Sequence, residues 1–203
     1  MTWTHTSRGR ALDLINPQPD DVDLDEVARS LGNQCRYNGC VRRFYSVAEH
    51  SVLIARWLRD QGESPEVVLG GLLHDGAEAY TGDITWPVQA VLFAPLGGPQ
   101  GVASNTVRDR YKVIQARLDD LIANAAGLNA NWLHVQAVKT ADLRILLDER
   151  AVLLTEPPPL PWAVEAELGL RPLGVEIRCW SPEEAARVFG EELSRSMQEV
   201  TRG

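Results

Sequence analysis

The chain has 203 residues, 44% hydrophobic and 24% charged, which is the make-up of one globular domain large enough to bury a sizeable core. Its formal net charge of −8 argues against nucleic-acid and anionic-membrane binding, which call for a basic face, while leaving room for a few local arginines to hold a small anion. The three cysteines, Cys35, Cys40 and Cys179, form no CxxC pair, so a disulfide framework or thiolate zinc site is not expected, and a reducing compartment fits.

In chain order, "MTWTHTSRGR" lacks the apolar core of a signal peptide, and no apolar run is long enough to span a bilayer, so a cytoplasmic protein is expected. "ALDLINP" reads as a short strand and "PDDVDLDEVARSLGN" as a short helix with acidic residues in its first turns. "QCRYNGCVRRFY" reads as a polar loop. Ser46, with Glu49 three residues later, predicts a capping box and a helix over about 46–60. Ser64 and Pro65 open a helix that the pattern carries to about Tyr80, where Gly82 ends it. A shorter helix is expected around Pro87, then a loop at 94–101, a helix from about Val102 to Ala126, and a long helix over about 131–154 that "TEPPPLPW" breaks. "VEIRCW" reads as a strand, and Ser181, Pro182 and Glu184 start a last helix. The expectation is an all-α domain spanning 1–203, a helical bundle with a short β element at one end.

Residues three, four and seven apart share a helix face. On 46–60 the apolar stripe of Val47, Ile54, Trp57 and Leu58 is interrupted by His50. On 131–154 the stripe of Val135, Val138, Ile145 and Leu146 is interrupted by Asp142. On 65–80 nearly every face is apolar until His74 and Asp75. Burying one neutral polar group unpaired costs about 2–7 kcal/mol, and a bare carboxylate far more. A divalent cation held by His50, His74, Asp75 and Asp142 compensates all of them at once. Imidazole with carboxylate suits Mn, Fe, Co, Ni or Zn, and the carboxylates also suit Mg. Taken singly, each has an ordinary reading: a hydrogen-bonded core histidine, or Asp142 paired with Lys139 or Arg144.

The order His50, His74–Asp75, Asp142 resembles the HD-domain metal-dependent phosphohydrolases. "SVAEHS" and "HDGAEAYTGDITWPV" are similar to the corresponding segments of bacterial 5′-deoxynucleotidases, and "VKTADLRILLDE" to their last ligand helix. Phage dATP triphosphohydrolases belong to the same group. The resemblance covers about residues 34–155. It implies an HD-domain bundle, metal ligation by His50, His74, Asp75 and Asp142, and catalytic acids at Glu78 and Asp83. It also implies an Arg–aromatic pair, Arg36 and Tyr37, that grips substrate, although the aromatic of the deoxynucleotidases is Trp. The activity implied is hydrolysis of the 5′-phosphate ester of a nucleotide, releasing phosphate from a monophosphate or triphosphate from a triphosphate. Arg108, Arg110 and Lys112 are candidates to meet a longer phosphate tail, or form a solvated helix face. A catalytically silent nucleotide-binding module would keep the ligands without needing both acids. The resemblance further implies a homo-oligomer built on a dimer. His134 and His5 are given no chemical role.

Overall fold

In the computed structural model, which describes residues 2–92, 105–154, 162 and 169–202, the chain opens with an antiparallel hairpin. Its strands are β1 (Trp3–His5) and β2 (Ala11–Asp13), paired Trp3 to Asp13 and His5 to Ala11. The expected strand at "ALDLINP" is therefore three residues long, and its partner carried no alternating signal. Leu12 is the residue of β2 that enters the core. The β element thus lies at the N-terminal end of a mostly α-helical bundle.

A single 3-10 turn (Pro19–Asp21) leads to α1 (Leu24–Asn33), whose Asp23 side chain accepts from the backbone N–H groups of Asp25 and Glu26. Helices α2 (Val47–Asp60) and α3 (Pro65–Leu73) form the centre. From Val47 to Ala55 every residue of α2 is buried, as is every residue of α3 from Val67 on. Ser46 and Ser64 cap them as expected. Gly70 of α3 lies so close to the chain at Trp132 that a Cβ there would stand 2.3 Å from the Trp132 carbonyl oxygen.

The helix expected to run to Tyr80 stops at Leu73. His74–Ala77 form a tight turn with Gly76 N–H bonded to Leu73 O (2.8 Å) and Glu78 N–H to Asp75 O (3.0 Å), and α4 (Glu78–Thr81) follows. A Cβ on Gly76 would meet Leu73 O at 2.9 Å and Ile122 at 3.1 Å, so the turn is packed too closely for any larger residue. Next come α5 (Trp86–Leu92) and α6 (Asn105–Ala125), which buries Leu118, Ile122 and Ala123. The expected loop at 94–101 and the break at "TEPPPLPW", apart from Trp162, lie outside the described residues. The long helix expected from 131 begins instead as a 3-10 turn (Ala130–His134). Val135 is extended, and only then does α7 (Gln136–Leu153) run. The last helix, α8 (Pro182–Arg202), packs on α1, α2 and α3. Arg56 and Arg59 of α2 clamp the buried Glu192 of α8, and Arg59 also donates to Ser196.

"VEIRCW" makes no strand. The backbone N–H groups of Val175, Arg178, Cys179 and Trp180 go to side chains rather than to a neighbouring strand. Those of Arg178, Cys179 and Trp180 donate to the buried carboxylate of Glu49 at 2.7, 3.0 and 2.7 Å. At its start, those of Leu173, Gly174 and Val175 donate to Asp148 at 2.7, 2.9 and 3.2 Å. Glu49 is therefore not closing the expected capping box on Ser46; its carboxylate holds the C-terminal segment. Glu49 precedes His50 on α2, and Asp148 follows Asp142 on α7. One irregular segment thus straps together two of the helices that carry the candidate ligands. No helix among the described residues is long and apolar enough to cross a membrane.

Candidate metal centre

His50 sits in the first turn of α2, His74 and Asp75 just past the end of α3, and Asp142 two turns into α7. Packing of these helices brings the groups together. Ligand atoms of His50, His74 and Asp142 all lie within 4.8 Å of one another. The rings of His50 and His74 are 5.4 Å apart. His50 Nε2 is 3.2 Å from Asp142 Oδ1 and 3.6 Å from Asp75 Oδ2, and His74 Nε2 is 3.3 Å from Asp75 Oδ2. Despite this proximity, both Nε2 atoms are buried and lack a properly directed hydrogen-bond partner. They converge with the carboxylates on a common space rather than pairing with any one of them.

The other ring nitrogens are fixed. His74 Nδ1 donates to the Gly71 carbonyl at 2.8 Å. His50 Nδ1 lies 2.6 Å from Glu149 Oε1, a carboxylate with no solvent exposure. With Nδ1 as donor, each ring presents the lone pair of Nε2 inward, the tautomer a cation requires. The donor set of two imidazoles and the Asp142 carboxylate, with two orphaned buried nitrogens, fits a divalent metal ion, and Asp75 Oδ2 stands beside both nitrogens. The side chain of Asp142 is 38% exposed and that of His50 fully buried, so the centre is closed on the α2 side and open at α7.

Charge in the metal-free centre is balanced internally. Burial resists a proton on His74, but Asp75 and Asp142 outweigh it and lift its pKa to about 9. Burial and Arg36 likewise resist a charge on His50, while Glu149 and Asp142 raise its pKa overall. Burial works against an ionised Asp142, yet the two histidines hold its carboxyl well below the usual range.

The remaining expected residues gather around this centre. Arg36 is nearly buried, with Nη1 3.5 Å from Asp75 Oδ2 and Nε 3.5 Å from Glu149 Oε1. Its guanidinium carbon stands 5.7 Å from the centroid of the Tyr37 ring. Tyr37 adopts a left-handed backbone conformation (φ 59°) and donates its hydroxyl to Glu149 at 2.5 Å. Glu78 has a buried, unpartnered Oε2. Burial foremost, then the charges of Asp75 and Asp83, push its pKa to about 10. Burial likewise raises Asp83, against the pull of Arg36. Gln34 orders this edge: it donates to the Glu78 carbonyl (2.8 Å) and accepts from the Asp83 N–H (3.1 Å).

Glu149, Gln34 and Tyr111 were not singled out from the sequence. Glu149 follows Asp142 by seven, on the same face of α7, and that spacing was the available signal. Tyr111 of α6 is half-buried, accepts from Gln115 at 3.1 Å, and has its hydroxyl pKa raised by burial and, after that, by Glu78, Asp83 and Asp75. Its neighbours Arg108, Arg110 and Lys112 are exposed. His134 pairs with Asp119 at 3.1 Å, away from the centre, and His5 lies exposed in β1.

No family model matches the chain. It is 30% identical over 150 residues to the uncharacterized protein YfdR of Escherichia coli strain K12, covering 74% of this chain and 71% of that one. It is 36% identical over 94 residues to the uncharacterized protein RCAP_rcc00048 of Rhodobacter capsulatus, covering 44% of this chain and 48% of the relative.

Proposed function

The chain belongs to the family of the Escherichia coli protein YfdR, and for this member we propose divalent-metal-dependent hydrolysis of the 5′-phosphate ester of a nucleotide. The observation that carries the reading is the pair of buried, unpartnered Nε2 atoms of His50 and His74 facing Asp75 and Asp142. In this reading those four residues hold one transition-metal ion, of which Mn, Co, Fe, Ni and Zn suit the donors best and Mg is accepted. Such an ion supplies Lewis acidity, polarising a phosphoryl oxygen and acidifying water.

The chain's own groups do the rest. Glu78, which the positive charge of a bound ion would ionise, would take the proton from the attacking water, with Asp83 sharing its environment. The leaving 5′-oxygen recovers a proton from the same pair. Arg36, a permanent cation among carboxylates, offsets phosphoryl charge as the P–O bond opens. Tyr37 backs the guanidinium from one side. Two ionisable acids beside the cluster favour turnover over a silent binding module, for which ligation alone would suffice. We further place the protein in the cytoplasm, where its free thiols are stable, as a dimer-based homo-oligomer.

The test is a product assay. Metal-stripped protein is supplied with Mn, Co, Mg or Zn and a panel of deoxynucleoside mono- and triphosphates, and the products are separated by chromatography. Nucleoside with phosphate identifies a 5′-deoxynucleotidase, and nucleoside with triphosphate a triphosphohydrolase. Glu78→Gln is expected to lower kcat by about 10²–10⁴ with little change in KM. No turnover with any metal, while nucleotide still binds, would leave the silent module.

A further inference from the structure

Glu149 is the most deeply buried acid of the site, and none of the roles above uses it for chemistry. A carboxylate with no solvent exposure persists only where its oxygens are satisfied. Its partners come from both halves of the site. Oε1 takes the Nδ1–H of His50 at 2.6 Å, which turns the imidazole lone pair toward the metal position. The same oxygen stands 3.5 Å from Arg36 Nε, and Oε2 accepts the Tyr37 hydroxyl at 2.5 Å. Arg36 Nε has no other partner, and Tyr37 is held at φ 59°, a backbone conformation rarely adopted outside glycine. Three side chains from the loop before α2 and from α2 itself thus share a single carboxylate on α7. Removing it would loosen a metal ligand and the phosphate-facing guanidinium together.

We propose that Glu149 is a positioning residue that sets His50 for the metal and Arg36 with Tyr37 for the phosphoryl group as one unit. The proposal rests on the phosphohydrolase reading for its second half and on the metal centre for its first. Outer partners of ligating histidines typically change metal affinity about 10–100-fold when lost.

Binding of Co²⁺ alone, and then of inorganic phosphate at saturating Co²⁺, is measured by calorimetry, with the visible spectrum of the Co²⁺ protein as a second readout. Glu149→Gln is expected to weaken Co²⁺ binding about 10–100-fold, to shift the Co²⁺ spectrum, and to weaken phosphate binding severalfold even when metal is saturating. Tyr37→Phe, which keeps the carboxylate and removes one hydroxyl, is expected to move both affinities in the same direction by less. It carries the test if Glu149→Gln does not fold. Variants that bind Co²⁺ and phosphate as the unaltered chain does, with an unmoved spectrum, overturn the proposal, as does a loss confined to one ligand. An unaltered chain that binds Co²⁺ but no phosphate overturns the phosphohydrolase reading as well, and one that binds no Co²⁺ overturns the metal centre beneath both.

Discussion

Protons and a metal ion compete for the same nitrogen at His74. Its pKa of about 9 in the metal-free site, reached because Asp75 and Asp142 outweigh burial, means the ring is protonated at neutral pH until a cation displaces the proton. Apparent metal affinity is therefore expected to rise as pH increases from about 6 to about 9 and to level off above, with proton release on binding. Calorimetry in buffers of differing ionisation enthalpy measures both, and a flat profile would rule out imidazole ligation. In the metal-free chain the sign for stability is the opposite. The raised His74 pKa contributes fully below its ordinary value of 6.5 and is lost as pH rises through about 9. Much of the candidate site was legible at this scale, because a His or Asp inside an apolar stripe stands out. Glu149 did not stand out: in "LDER" it resembles one half of a surface ion pair, and its partner His50 is 99 residues away.

Helix starts were legible where the chemistry is local. Ser46, Ser64 and Ser181 each accept from a backbone N–H three residues on. Two of the departures involve distant partners. Any residue larger than glycine at 76, just past the break after Leu73, would meet Ile122 of α6, and "VEIRCW" is kept out of a sheet by Glu49 and Asp148 from two other helices. Glu49→Ala would leave the N–H groups of Arg178, Cys179 and Trp180 without their acceptor. At about 1–3 kcal/mol for each buried donor left unpaired, partly recovered by water, a loss of about 3 kcal/mol or more in urea unfolding is expected. A loss under about 0.5 kcal/mol would mean that the strap does not help hold α2 and α7 together.

The whole molecule is a bundle whose central helices meet at a cluster of carboxyl groups. Asp75, Asp142, Glu78, Asp83 and Glu149 crowd around Arg36, in a chain that already carries a net charge of −8. A cation bound only by the folded state relieves that crowding and stabilises by mass action, about 2.7 kcal/mol at a hundred times Kd. For a chain of this length the midpoint of thermal unfolding is expected to rise by about 5–10 °C and to fall back with a chelator. The all-α class and the order of the helices were legible in the hydrophobic pattern. The way they close on one another was not, since that depends on contacts such as Gly70 against Trp132, which only the packed chain brings together.

The most direct measurement is the metal content of the purified chain after equilibration with a small excess of Mn²⁺ or Zn²⁺ and exhaustive dialysis, beside Asp142→Ala treated alike. One equivalent per chain in the unaltered protein, and a small fraction of that in the variant, is the expected result. No bound metal in the unaltered chain, or a full equivalent in Asp142→Ala, would contradict a centre built from His50, His74, Asp75 and Asp142.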